Sequence, residues 1–528
     1  MRLARPEPPR GLIGGARHRR ASRRGGRRPD FWPCRRRAWL VKVGVVSLHR
    51  MWRMRVWMSL ALSAGLCVAP SPRAFAAEPA AATMVQPASA VEVGAYARQL
   101  LADNAAADGP GIAILVARGD QVLFRGARGL ANVELGVPLA PDQVFRIGSV
   151  TKQFAAAGVL KLVEAGKVGL DDPLSKYVKD YPNGGAISVR QLLNHTSGVK
   201  SYTGIDGYMT ESIKRDLSTQ ALIDVFKDLP VDFAPGQGYA YNNSGYVLVG
   251  AVIEAASGKP WHAYLDEALF KPLGLTQTRY GDVHALIPGY VNGYTRIDEQ
   301  VTPMGHLDMS QPHAAGALVS TLDDLLRWNL ALHQGKVLQP ANYRAMTSPQ
   351  GKAAQSDYGF GISRITVRGR TGYAHGGGIF GFASYLLYLP ESKTTVAVLT
   401  NTDTGLPDRP GLDRLSRTLA AVAVGDAYPV PVAVPVAASS LQQAEGVYRQ
   451  SAQRAWVLRV VDGALTVQRI GGKPIALTAV ARDTFVYPDR IARMTLERDA
   501  KGAVTGMRFF PDGTGQSEFT ARSGEAMP

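Results

Sequence analysis

Two groups of strand-forming residues stand far apart in this chain, and their separation constrains the fold more than any other feature. Gly111-Ile112-Ala113-Ile114-Leu115-Val116-Ala117-Arg118 and Gln121-Val122-Leu123-Phe124 flank Gly119-Asp120 and read as a β-hairpin. Two further apolar strands, Ala383 to Tyr388 and Thr395 to Thr400, lie either side of the turn Pro390-Glu391-Ser392. The residues between these groups are mostly helical in spacing, as in Tyr246 to Ala256 and the helix from Leu322 that contains Trp328; a further amphipathic helix, Val91 to Leu101, precedes the first hairpin. Strands at both ends of a helix-rich middle imply one sheet that brings the first and last strands together, with the middle as an insertion. The expectation is an α/β layered domain over residues 91–425.

A break follows at 426–440, where Pro429, Pro431 and Pro435 stand among small residues and signal a linker. Beyond it, short alternating strands are joined by the turns Asp462-Gly463, Lys501-Gly502 and Asp512-Gly513. Residues 441–528 therefore read as a small all-β, barrel-like domain.

The front of the chain carries nearly all of its charge imbalance. Residues 1–76 hold 18 lysines and arginines against two acids, accounting for +16 of the formal +17. The remainder is close to neutral, so the basic pI gives no reason to expect a nucleic-acid partner. Residues 51–76 read as an export signal: a charged start at Met51-Trp52-Arg53-Met54-Arg55, an apolar stretch from Val56 to Ala69, and Ala74-Phe75-Ala76 before Ala77. The apolar stretch is too short to span a bilayer. The expectation is a periplasmic or secreted protein with no stable membrane anchor once the signal is removed. Residues 1–50 are then either a disordered basic extension or a stretch upstream of the true start, the second being favoured because such signals begin at the N-terminus. Residues 77–90, rich in Ala and Pro, read as flexible. Both cysteines, Cys34 and Cys67, precede the cleavage point, so the exported chain would carry no thiol.

The first chemistry-bearing pattern is Ser149-Val150-Thr151-Lys152, read as the first turn of a helix. Its i, i+3 spacing stacks a hydroxyl and an amine on one face. Serine becomes a nucleophile when a neighbour takes its proton, and lysine does so when burial or positive charge lowers its pKa. A second Ser-x-x-Lys, Ser197-Gly198-Val199-Lys200, has a glycine after the serine and no helical pattern, and reads as loop. His195, at the end of the helix before it, reads as satisfying local backbone groups. No His, Asp or Glu spacing suggests a metal, and neither metal nor cofactor is expected.

Four motifs occur in order: Phe145-Arg146-Ile147-Gly148-Ser149-Val150-Thr151-Lys152, Leu192-Leu193-Asn194-His195-Thr196-Ser197-Gly198, Tyr241-Asn242-Asn243 and His375-Gly376-Gly377. In that order and rough spacing the chain resembles the serine β-lactamase and penicillin-binding protein superfamily. The likeness is closest to the class C β-lactamase-like branch, which includes esterases, D-aminopeptidases and D,D-carboxypeptidases. It implies a β-lactamase-like α/β (α+β) fold, an antiparallel sheet flanked by helices with a helical insertion. It also implies Ser149 as the acylated nucleophile, Lys152 as its proton acceptor or electrostatic partner, Tyr241 as a second acid/base and Asn243 as a hydrogen-bonding arm. His375 to Gly377 stand where the family has its third motif, and the oxyanion hole would use the backbone N–H groups of Ser149 and Gly378.

Two departures narrow the expected activity. His375 replaces the lysine that helps bind a substrate carboxylate in true β-lactamases, and a neutral imidazole does this less well. Arg146 stands where the β-lactamase signature usually has an acid. The resemblance thus favours an exported serine hydrolase of a small-molecule or peptide ester or amide. The alternatives are a β-lactamase or D,D-carboxypeptidase/D-aminopeptidase and, in another class, a binding protein that keeps the fold without catalysis. The C-terminal β-domain is similar to the extra domains of family esterases and D-aminopeptidases.

Overall fold

The computed structural model describes residues 86–404, 411–451, 454–488, 490–513 and 515–527. The extension expected at 1–50, the export signal at 51–76 and the greater part of the flexible segment at 77–90 lie outside the described residues.

The first hairpin supplies β1 (Ile112–Arg118) and β2 (Gln121–Arg128). Four strands near the end of the domain join them: β3 (Ser363–Val367), β4 (Arg370–Ile379), β5 (Phe382–Leu389) and β6 (Thr394–Thr400). They lie in the order β3-β4-β5-β6-β1-β2, and every pairing is antiparallel. The two distant groups of strands therefore meet at β1 and β6, in register from Ile112 opposite Thr400 to Arg118 opposite Thr394.

Both faces of this sheet are covered, which is why β1 and β6 read as continuous apolar runs rather than alternating ones. Ile114, Val116, Val396 and Val398 face one side, where α1 (Ala90–Asn104) and α6 (Leu412–Ala423) pack. Ala113, Leu115, Ala397 and Leu399 face the other and join the larger core. That core is built from the inserted helices α2 (Thr151–Glu164), α3 (Asn243–Ser257), α4 (His313–Gly316) and α5 (Leu322–His333). Helix α2 is its centre: every residue from Thr151 to Leu160 is buried, and Phe154 stacks on Trp328 with centroids 4.1 Å apart. Among the described residues no helix is long and apolar enough to cross a membrane.

One local expectation is corrected. Ser149 does not lie in the first turn of an α-helix but in a 3-10 turn, Gly148–Val150, directly before α2. Gly148 is left-handed, with φ +48°, so the α-helical path cannot extend back through it.

Residues 446–521 form two antiparallel sheets. The first has β7 (Gly446–Ser451), β8 (Arg454–Val461), β9 (Ala464–Arg469) and β10 (Ile475–Ala476). The second has β11 (Thr478–Ala481), β12 (Thr484–Val486), β13 (Arg493–Arg498), β14 (Val504–Phe510) and β15 (Glu518–Ala521). They enclose one core that includes Tyr448, Leu458, Leu465, Phe485 and Met494, and their ends meet where Tyr448 pairs with Arg522.

Candidate active site

The serine turn is pressed against β4 so closely that only glycine fits at two positions. A Cβ on Gly148 would lie 3.0 Å from the Gly378 nitrogen, and one on Gly377 would fall 2.1 Å from the Ile147 carbonyl oxygen. Ser384 Oγ, on β5, donates to that same carbonyl at 2.8 Å and fastens the turn to the sheet.

Lys152 follows on α2 and is completely buried. Its Nζ lies 3.1 Å from Ser149 Oγ, 2.9 Å from Asn243 Oδ1 and 2.8 Å from the Ala315 carbonyl oxygen. The Asn243 orientation is set by its Nδ2, which donates to Thr203 Oγ1 at 3.2 Å. A neutral amine has two N–H groups and one lone pair. The two carbonyl oxygens only accept, so they take both N–H groups and leave the lone pair for the Ser149 hydroxyl. Burial holds Lys152 well below the ordinary lysine range, which favours this neutral form.

Tyr241 lies beside the pair, its ring centroid 4.8 Å from Lys152 Nζ. Desolvation pushes its phenol up, and a hydrogen bond with Ser149 opposes the rise. The residue is 42 % exposed, so solvent screening moderates the shift. Asn242 caps α3 by accepting from the Gly245 N–H at 2.8 Å, which places Asn243 on the first turn, facing Lys152.

His195 bonds backbone groups, but those of the distant segment before α3 rather than the local ones expected, and it has a second role. Its Nδ1 accepts from the Asn242 N–H at 3.1 Å, and its carbonyl accepts from the Ala240 N–H at 3.1 Å. Its ring packs against Tyr241, Tyr246 and Tyr358 at 4.5, 5.2 and 4.7 Å between centroids, so it also supports the tyrosine.

On β4, His375 is buried. Its Nδ1 lies 2.6 Å from the Gly376 carbonyl oxygen, which can only accept, so the proton is on Nδ1. Nε2 then accepts from the Tyr358 hydroxyl at 2.8 Å. Burial first, and the nearby Lys152 second, lower His375 to about 3, so it is neutral at pH 7. Gly377 is buried, whereas Gly378 is exposed at the wall of the cleft.

The cleft itself is a cavity of about 330 Å³ whose walls include Ser149, Asn243, Met209, Gly378, Phe380 and Asp403. A larger cavity of about 550 Å³ lies against α1, α6 and the C-terminal strands, away from the serine. Among the described residues no three His, Cys, Asp or Glu side chains converge in a metal-binding arrangement. Sequence reasoning missed Tyr358, Thr203, Ala315, Ser384 and Asp403. None belongs to a motif; the first four act through neighbours distant in the chain, and Asp403 lines the cleft.

A model of the family described as Beta-lactamase matches residues 96–421, more than half of the chain. The chain belongs to the beta-lactamase family. This family member is 29 % identical over 314 residues to Penicillin-binding protein 4* of Bacillus subtilis (strain 168), covering 54 % of the chain and 67 % of that protein. It is 27 % identical over 299 residues to a D-aminopeptidase of Gluconobacter oxydans (strain 621H), covering 56 % of each. Among solved structures it is similar to a D-stereospecific amidohydrolase from Streptomyces sp., with a TM-score of 0.53 and 28 % identity over 60 % of this chain and 96 % of that one. The chain thus spans about half to two thirds of the length of these curated relatives, and its family is one of serine hydrolases.

Proposed function

We propose that this protein is an exported serine hydrolase that cleaves an ester or amide through an acyl-enzyme on Ser149. One observation carries the reading: buried Lys152 Nζ lies 3.1 Å from Ser149 Oγ with its other two partners carbonyl oxygens, so that in its neutral form the lone pair faces the hydroxyl. Lys152 takes the hydroxyl proton as Oγ attacks the substrate carbonyl. The oxyanion that forms is held by the N–H groups of Ser149 and Gly378; as the intermediate collapses and the bond to the leaving group breaks, the proton on Lys152 is relayed through the Tyr241 hydroxyl to the leaving group, which returns Lys152 to the neutral form. Water then attacks the acyl carbon, neutral Lys152 takes its proton and passes it to Ser149 Oγ as the Oγ–acyl bond breaks, and the acid product leaves.

The acyl donor is read as an ester or D-amino-acid amide rather than a β-lactam. The family's third-motif cation is absent here, because His375 is neutral and its Nε2 is occupied by Tyr358. Export rests on the signal read at residues 51–76.

The test is a panel of p-nitrophenyl butyrate, D-alanine p-nitroanilide and nitrocefin run on wild type and Ser149→Ala. The expected result is turnover of ester or anilide far above nitrocefin, lost in the variant by about 10³-fold or more. Nitrocefin as the best substrate would replace the esterase or amidase reading with a β-lactamase. Full activity in Ser149→Ala would end the proposal.

A further inference from the structure

Among the described residues Asp403 stands in the cleft without an ion pair, although a neighbouring cavity that it also lines holds Arg296. It follows β6, and it lines the same cavity as Ser149 and Gly378. The walls named with it, Met209, Ile213, Leu307, Ile379 and Phe380, are apolar, and no Lys, Arg or His is among the lining residues. Its Oδ2 accepts from the Gly381 N–H at 2.8 Å, and among the described residues Asp403 has no ion pair and Oδ1 accepts no hydrogen bond. The buried cation of this region, Arg146, is engaged elsewhere: its guanidinium lies 5.8 Å over the Phe382 ring and its Nη1 lies 3.9 Å from Met304 Sδ.

We infer that Asp403 selects the acyl donor, and that preferred substrates carry a cation at the far end of the acyl side chain, as lysyl and ornithyl esters or amides do. This rests on the reading of Ser149 as the nucleophile. Asp403 is exposed in an otherwise apolar wall, so it favours a ligand of opposite charge by the modest, salt-screened attraction of a surface pair. Reach decides which cation. Gly381, which holds Asp403, sits in the tip of the β4–β5 hairpin, beyond the Ile379–Phe382 pair and away from the oxyanion donor Gly378. An α-ammonium is only two bonds from the scissile carbon and stays beside the serine. A distal ammonium on a four-carbon stem extends along the hairpin toward Asp403.

The alternative role is structural: through Gly381 alone, Asp403 clasps the hairpin that holds Gly378. The two roles separate in one experiment. The kcat/KM values for the p-nitrophenyl esters of Nα-acetyl-lysine and Nα-acetyl-norleucine, each as both enantiomers, are compared in wild type, Asp403→Asn and Asp403→Glu. Acetylation leaves the distal ammonium as the substrate's single cation. Wild type is expected to favour the lysyl ester by about two- to fivefold, the range of an exposed ion pair, with the preference shrinking as salt is raised. Asp403→Asn keeps an oxygen for the Gly381 N–H but no charge, and is expected to bring the ratio to about one; Asp403→Glu should retain part of the preference. A wild-type ratio of one, or equal slowing of both esters in Asp403→Asn, would leave Asp403 as a hairpin clasp only and overturn the inference. Undiminished hydrolysis in Ser149→Ala would instead overturn the nucleophile, whatever the ratio.

Discussion

At the scale of single residues the account turns on the protonation of Lys152. Its folded pKa is depressed, so between that depressed value and the ordinary lysine range the unfolded chain binds more protons than the folded one. Stability contributed by this residue therefore rises with pH through that window. Lys152→Met removes the term, and its stability relative to wild type, followed by urea unfolding between about pH 7 and about pH 10, is expected to be highest at the neutral end and to decline as pH rises. A difference that does not vary with pH would mean the amine is charged in the fold. Ser149, Lys152, Tyr241 and Asn243 were legible because each lies in a short motif, and the fold brings them together. What was not legible is their electrical state. That His375 is neutral depends on its burial and on Lys152, and that Lys152 has two carbonyl partners depends on Ala315, 163 residues away. No local pattern announces either contact.

At the scale of elements, the serine turn and β4 hold each other at a separation only glycine allows. Gly377→Ala would place its methyl carbon 2.1 Å from the Ile147 oxygen, and that oxygen belongs to the backbone and is already bonded to Ser384. The turn must shift, and a shift of about 1 Å in a catalytic turn costs on the order of 10²-fold in rate. The expected outcome is a loss of that size in kcat/KM with a lowered melting temperature, whereas wild-type kinetics would show that the turn and strand are not coupled. The first hairpin, β5, β6 and the long helices were legible from period and turn residues. Strands β3 and β4 were not legible from residue period; the resemblance alone put His375 to Gly377 on a strand edging the cleft. Arg370–Ile379 contains Gly372, Gly376, Gly377 and Gly378, and glycine is depleted in strands. Here the glycines serve the close approach rather than the strand.

For the whole molecule, the C-terminal sheets are held to the catalytic domain through Asp512, which is buried. It accepts from the Tyr428 hydroxyl at 2.5 Å and from the Gly369 N–H at 3.3 Å, and Arg417 lies 3.8 Å away. Arg417 in turn bonds Asp413, which accepts from Tyr385 on β5. Gly369 lies in the turn just before β4 and Gly378 near the strand's end, so the docking point is about a strand length from the cleft. Among the described residues none that line the cleft comes from 446–527. Asp512→Ala is expected to cost about 1–3 kcal/mol of stability in a denaturant melt while small esters turn over as in wild type. Loss of activity without loss of stability would make these sheets part of the cleft. Sequence patterning gave their class, but a docking contact between residues 84 apart has no local signature. The measurement that bears most directly on the central claim is peptide mass spectrometry of the protein after reaction with a fluorophosphonate. The account predicts one adduct, on Ser149, absent from Ser149→Ala and formed more slowly in Lys152→Met; labelling of another residue, or of none, would contradict it.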